Sequence, residues 1–243
     1  MCLLAIFFRV VPDAPLVLGA NREEDYDRGG TVPQLLTEPA PAVAGLDPTA
    51  GGTWFGVNAH GVVVAVTNRP KTNVPARPRS RGLLTRDLLA CRSAADALDK
   101  AGRELGAGQY AGCNLFCADR DRAAVVHAGD WLRIRTLPPG IHALANHDVN
   151  DASDARVYFA LDWLGQCAYA HGGECLSALQ MLCGRSEAPP MCLRGKGRGT
   201  VSSSVVLLRD HPGEGVYLHA QGPPDTTPYV DYSHLLRQLS PAP

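Results

Sequence analysis

The sequence predicts an α+β fold in which two largely antiparallel sheets pack face to face with helices covering the outside. Three observations carry that reading. Strand-like runs come as neighbours across short turns, which joins them antiparallel. Helix-like runs come in blocks between blocks of strands, not singly alternating with strands as a parallel sheet requires. Of 243 residues, 45% are hydrophobic, enough for a proper core and for one domain spanning residues 1–243.

Residues 3–11 are apolar, β-branched and aromatic, and predict a buried strand. A turn at Pro12-Asp13-Ala14-Pro15 leads to a second strand over 16–20. Residues 21–52 are polar, rich in Pro and Gly and without period, so they predict a long loop of the kind that carries function. A second hairpin fits 53–58 and 62–67, turned at Ala59-His60-Gly61. Residues 69–81 form a basic, Pro-rich stretch holding Arg69, Lys71, Arg77, Arg79 and Arg81 with no acid among them. Such a loop binds a phosphate or carboxylate, or is simply solvated. Helical patterns follow over 82–91 and 93–105, with Ser93 as N-cap. Strands are predicted over 114–118, 123–127, 131–136 and 141–145, then helices over 153–168 and 174–183. The run Arg194-Gly195-Lys196-Gly197-Arg198-Gly199 reads as a loop before strands 203–208 and 216–220 and a short helix at 233–239.

The composition narrows the function classes. A formal net charge of −1 gives no reason to expect nucleic acid or a membrane surface as partner. No apolar run approaches the roughly 18 residues of a membrane-spanning helix. The apolar start is not a secretory signal, because no basic segment precedes it and Arg9 interrupts it. The eight cysteines are therefore expected as reduced thiols in a cytoplasmic setting. They form no C-x-x-C pair, and the eight histidines show no ligand spacing, so no metal or other cofactor is expected to be required. The Gly-Lys-Gly-Arg-Gly run lacks phosphate-loop spacing, and neither a nucleophile elbow nor a dinucleotide fingerprint is present.

Cys2 is the residue with the most chemistry. A small residue behind the initiator lets Met1 be trimmed, and trimming would leave an α-amine and a thiol on one residue, a nucleophile with its own base. Otherwise Cys2 is a buried thiol. Arg22, beyond the second strand, returns toward residue 2 through the hairpin and is a candidate to polarise the thiol, or else pairs with Glu23, Glu24 or Asp25 at the surface. Asn68 and Asn146 each end a predicted strand, where an uncharged amide donor suits a developing oxyanion or a tight turn. Gly51-Gly52-Thr53-Trp54 offers a turn or close backbone approach, and Trp54 is either cleft wall or core.

The ordered set Met1-Cys2-Leu3-Leu4, Ala20-Asn21-Arg22-Glu23-Glu24, Gly51-Gly52-Thr53-Trp54-Phe55-Gly56-Val57-Asn58, Thr67-Asn68-Arg69 and Ser80-Arg81-Gly82 resembles the NRDE family, also called transport and Golgi organization proteins. Later matches fall at 112–115, 140–146 and 199–208, so the resemblance covers most of the chain. The family is similar to N-terminal nucleophile hydrolases of the choloylglycine and penicillin V acylase type. The resemblance implies a four-layer αββα sandwich and hydrolysis of a non-peptide C–N amide bond in a small-molecule substrate. It implies Cys2 as nucleophile, Arg22 and Glu23 to orient and polarise it, and Asn68 and Asn146 around the oxyanion. Asn21, Trp54 and Arg69 are expected to line the cleft. Two departures stand out. The family tetrad Asn-Arg-Asp-Glu reads Asn21-Arg22-Glu23-Glu24, and the Arg common between Thr200 and Ser202 is Val201, with Arg198 a possible substitute. The same resemblance implies an alternative function, a carrier of haem or an acyl lipid linked to Golgi organisation and secretion, in which Cys2 is ligand or bystander. A structural partner in secretion is a third.

Overall fold

A computed structural model of the chain describes residues 2–239. Strands β1 (Cys2–Val11), β2 (Ala14–Asp25), β3 (Gln34–Leu36), β4 (Ala42–Ala44), β5 (Phe55–Asn58) and β6 (Val63–Asn68) precede helices α1 (Arg81–Leu88) and α2 (Ala94–Gly106). Strands β7 (Cys113–Ala118), β8 (Ala123–Ala128), β9 (Leu132–Thr136) and β10 (Gly140–Leu144) precede α3 (Ala155–Gly165) and α4 (Gly172–Gly184). The described chain closes with β11 (Arg198–Leu208), β12 (Val216–Ala220), β13 (Val230–Asp231) and α5 (Ser233–Arg237).

The strands form a six-stranded sheet, β10-β1-β2-β11-β12-β13, and a seven-stranded sheet in sequence order from β3 to β9, with antiparallel neighbours throughout. Side-chain alternation explains the layering. In β1, Leu4, Ile6 and Phe8 join the core between the sheets, while Leu3, Ala5 and Phe7 meet α3 and α4. In β6, Val63 and Ala65 face the other sheet, and Val64 packs toward α1 and α2. Strands buried on both faces read as continuous apolar runs, which is the pattern of residues 3–11. The result is the αββα sandwich and the α+β class expected from the sequence.

The polar segment 21–52 is the main correction. Residues 21–25 continue β2, and β3 and β4 form a hairpin within the supposed loop. Three-residue strands are too short to show a period, and the end of β2 is polar because it borders the site. The start of the Gly-rich basic run is irregular, but its end is strand: Arg198 and Gly199 pair with Asp25 and Glu24 in β2. A side chain at Gly199 would run into Leu193 O, 2.5 Å from an added Cβ. The ladder then shifts between Thr200 and Ser202, so Val201 is the extra residue of a bulge. Ser93 caps α2 as expected, its side chain accepting from Asp96 N at 3.1 Å.

Candidate active site

Cys2 opens β1 and lies across the ladder from Arg22 of β2. Like Leu4 and Ala20, two residues further along the same pair of strands, these two face between the sheets. There they line a cavity of about 230 Å³ together with Glu23, Trp54, Asn68 and Arg81.

Burial pushes the Cys2 thiol above its ordinary pKa, and nearby Glu23 adds to the rise; the backbone N–H of Glu23 and the Arg22 guanidinium pull the other way. The resting sulfur is therefore a neutral thiol. Arg22 is only 6% exposed. Its Nη1 donates to Gly29 O at 2.7 Å, and its guanidinium stacks 4.2 Å from the Trp54 ring. No carboxylate lies within 4.0 Å of it among the described residues, so it is not the surface ion pair that sequence also allowed. Glu23 follows Arg22 in the strand and turns to the helical layer. Its carboxylate meets both terminal nitrogens of Arg156 on α3, and Arg156 Nη2 also donates to Met191 O at 2.9 Å. Burial raises the Glu23 pKa, with Arg156 holding part of that rise back.

The Gly-Gly-Thr-Trp motif shapes the cavity wall. Gly51 has φ +68°, and a Cβ on Gly52 would overlap the backbone of Gly82 and lie 2.5 Å from Leu83 N. Thr53 N donates to Gly82 O at 2.9 Å, so this loop seats directly on the first turn of α1. Trp54 is both wall and packing: it lines the cavity, and Gly30 and Gly45 make room for its ring.

The two asparagines come together through hydrogen bonds between strand ends. Asn146 Nδ2 donates to Asn68 O at 2.9 Å, and Thr67 Oγ1 donates to Ala145 O at 2.6 Å. Asn114, which sequence reasoning missed, donates to Ala145 O and His147 O at 3.3 and 3.0 Å. Its Oδ1 lies 2.8 Å from Nδ1 of buried His127. The Asn114 nitrogen is committed elsewhere, so His127 donates from Nδ1. Burial pushes the His127 pKa down to about 4. Asn68 lines the cavity and Asn146 does not. Asn146 lies two residues past the end of β10, where the chain has left the ladder and bonds to the end of β6 instead.

Other expected contacts fall elsewhere. Asn21 does not reach the cleft: it is fully buried and donates to Cys183 O and Met191 O at 2.9 and 3.0 Å, tying β2 to the helical layer. Arg69 turns to a different pocket, held by Asp148 at 2.8 Å and Asn114 Oδ1 at 3.2 Å and stacked on Trp131. Arg198 is half-exposed against Glu24 and Asp25, so it does not fill the place of an Arg at Val201. Met1, whose removal the amine mechanism requires, lies outside the described residues. Among those described, no three His, Cys, Asp or Glu side chains gather as a metal site, and no helix is long and apolar enough to cross a membrane. All eight cysteines are free.

The family described as Transport and Golgi organisation 2 matches residues 1–173. A Transport and Golgi organization protein 2 homolog of Bos taurus is 32% identical over 162 residues, covering 60% of this chain and 57% of that protein. The Homo sapiens homolog is 32% identical over 133 residues, covering 51% and 47%. The matches thus span about half the length of these relatives. Among solved structures, the Caenorhabditis elegans ortholog of N-acylethanolamine-hydrolyzing acid amidase superposes with TM-score 0.62 at 14% identity, over 84% of this chain and 92% of that one. A cysteine-to-alanine mutant of conjugated bile acid hydrolase from Clostridium perfringens gives TM-score 0.53 at 11% identity, over 96% and 92%. The shared fold is that of N-terminal nucleophile hydrolases.

Proposed function

The chain belongs to the Transport and Golgi organisation 2 family, and we propose that it is a cysteine N-terminal nucleophile hydrolase acting on a non-peptide amide bond. The observation that supports this best is the placement of Cys2: the first residue of a central strand, opening into a cavity beside a buried guanidinium with no carboxylate within 4.0 Å among the described residues. A strand start fixes the sulfur as a frayed terminus could not. Both superposed neighbours are named as hydrolases of acylated amines or conjugated acids.

In the proposed cycle Met1 has been removed, and the α-amine of Cys2 takes the thiol proton. This step generates the nucleophile against the burial and the neighbouring Glu23 that raise the thiol pKa. The thiolate attacks the amide carbonyl, forming the C–S bond. Arg22 stabilises the sulfur charge, and Asn68 donates to the oxyanion. Asn146 donates one amide hydrogen to Asn68 O, which positions the end of β6 that carries Asn68. Collapse breaks the C–N bond, and the leaving amine takes the proton from the α-ammonium. Water then cleaves the thioester, releasing the acid and restoring the thiol.

The test joins intact mass with trapping. Protein of mass lacking Met1, incubated with a panel of N-acyl amides, should show an acyl adduct on Cys2. Turnover should fall at least about a thousandfold in Cys2→Ala. Mature protein that retains Met1, or turnover unchanged in Cys2→Ala, refutes the reading.

A further inference from the structure

We propose that the Cys2 cavity selects substrates bearing an oxyanion, a carboxylate or a phosphate, and that Arg81 at the start of α1 binds it. The inference rests on the hydrolase reading for the word substrate, but the anion site stands on its own geometry.

Most charges around the cavity are answered within the protein. Arg28 meets Asp47 at 2.7 Å and Glu24 at 3.7 Å. Arg79 meets Asp87 at 2.5 Å and Glu104 at 2.9 Å. Glu23 is held by Arg156. Two cavity-lining guanidiniums, Arg22 and Arg81, have no carboxylate within 4.0 Å among the described residues. Arg22 is 94% buried by its 6% exposure and lies opposite Cys2, so its natural counter-charge is the thiolate. That leaves Arg81.

Arg81 is half-buried and fixed by one bond, from Nη1 to Gly112 O at 2.8 Å. A Cβ at Gly112 would overlap the Arg69 carbonyl, so this anchoring backbone is packed to its limit. A guanidinium carries five N–H donors in a planar fork, and this one engages a single carbonyl in the structure. The start of α1 faces the same cavity through Ser80, Arg81 and Gly82, adding its positive end to the field. A partly desolvated cation without a counter-ion is costly, and a bound oxyanion relieves that cost. With the scissile carbonyl at Cys2, the anionic group lies on the wall formed by Arg81. The Ser80-Arg81-Gly82 motif thereby acquires a role: Gly82 lets the Gly52 loop close against α1, and Arg81 faces the substrate.

The test reads binding without turnover, in full-length Cys2→Ala protein by calorimetry. The probes are N-hexanoylglycine, the O-phosphate of N-hexanoylethanolamine, and neutral N-hexanoylethanolamine. At least one anionic probe should bind about tenfold tighter than the neutral one or better, and the two anionic arms tell carboxylate from phosphate. Arg81→Gln should bring that preference close to parity, while Arg81→Lys, which keeps the charge and loses the fork, should retain part of it. Parity of all three probes, no binding of any, or a preference that survives Arg81→Gln overturns the proposal. If Arg81→Gln does not fold, an undiminished preference in Arg81→Lys overturns it as well. A preference seen in protein whose wild-type form neither acylates at Cys2 nor hydrolyses amides would keep the anion site and remove the hydrolase.

Discussion

Replacing Arg156 by Met tests the electrostatic frame behind Cys2. The Glu23 side chain is 2% exposed and that of Arg156 13%, so little solvent screens the pair. Removing the cation strips Glu23 of its bidentate partner while the Met stem keeps much of the packing. Breaking a buried pair from one side costs about 3–5 kcal/mol. Stability at neutral pH should therefore fall by about 3 kcal/mol in urea unfolding, with an unchanged denaturant slope. The pH dependence follows from the direction of the Glu23 shift. Its folded pKa already lies above the ordinary 4.5, and without Arg156 it rises further. A carboxyl whose folded pKa exceeds its unfolded value keeps its full contribution below the unfolded pKa and loses it as pH rises through the folded pKa. The deficit of Arg156→Met should accordingly be smallest near pH 4.5 and widen toward neutral pH. Adding Glu23→Gln to Arg156→Met removes the buried negative charge and should restore part of the loss, giving a coupling of about 1 kcal/mol or more in the double-mutant cycle. A deficit below about 1 kcal/mol that is flat with pH, or no coupling, would refute this account of the pair.

Three further outcomes can be checked directly. His127 should stay neutral at pH 5 in the folded protein, by NMR titration of its ring, because its pKa is pushed down to about 4. Unfolded His127 binds a proton between its ordinary 6.5 and about 4, so stability drops on acidification through that window, by about 2–4 kcal/mol from this residue, and His127→Gln should flatten the drop. Under native alkylation with iodoacetamide, exposed Cys167 should react fast, whereas Cys113 and Cys183, with thiols raised by burial to about 11 and 12, should react only on unfolding; mass mapping of the native and urea-treated protein decides. Gly52→Ala should lower stability by about 1–3 kcal/mol and weaken ligand binding at the cavity, since the added methyl meets α1 backbone that cannot rotate aside; an unchanged melting midpoint would contradict the close approach.

Much of the fold was legible because strands buried on both faces announce themselves. Residues 3–11 and 62–67 read as strands, and Ser93 read as a cap, from composition alone. The β3–β4 hairpin did not, since three residues cannot display alternation and its neighbours are Pro and Gly. At the site, Cys2, Arg22, Glu23, Trp54 and Asn68 were legible and do meet at one cavity. Asn21 and Arg69 were expected at the cleft through the family resemblance, but strand alternation and ion pairing took their side chains elsewhere. Arg156, Asn114 and His127 left no local trace. The partner of Arg156 lies 133 positions away, and that of Asn114 and His127 is a neighbouring strand, so only the folded chain reveals them.

The tetrad Asn21-Arg22-Glu23-Glu24 shows why a polar run survives near the middle of a sheet. Successive residues of a strand point to opposite faces, so adjacent polar side chains here serve different layers. Asn21 ties β2 to backbone carbonyls of the helical layer, Arg22 enters the cavity, Glu23 anchors α3 through Arg156, and Glu24 meets Arg28 and Arg198. Each unmet partner would otherwise be a buried polar cost, so the four positions constrain one another through the layers they join. One cation that meets Glu23, Arg156, comes from the helix outside the sheet, whereas Val201, on the bulge of β11, contributes no charge. Val201 thus sits in the strand paired with Arg22 and Glu23, while the guanidinium that hydrogen-bonds the Glu23 carboxylate is supplied from α3.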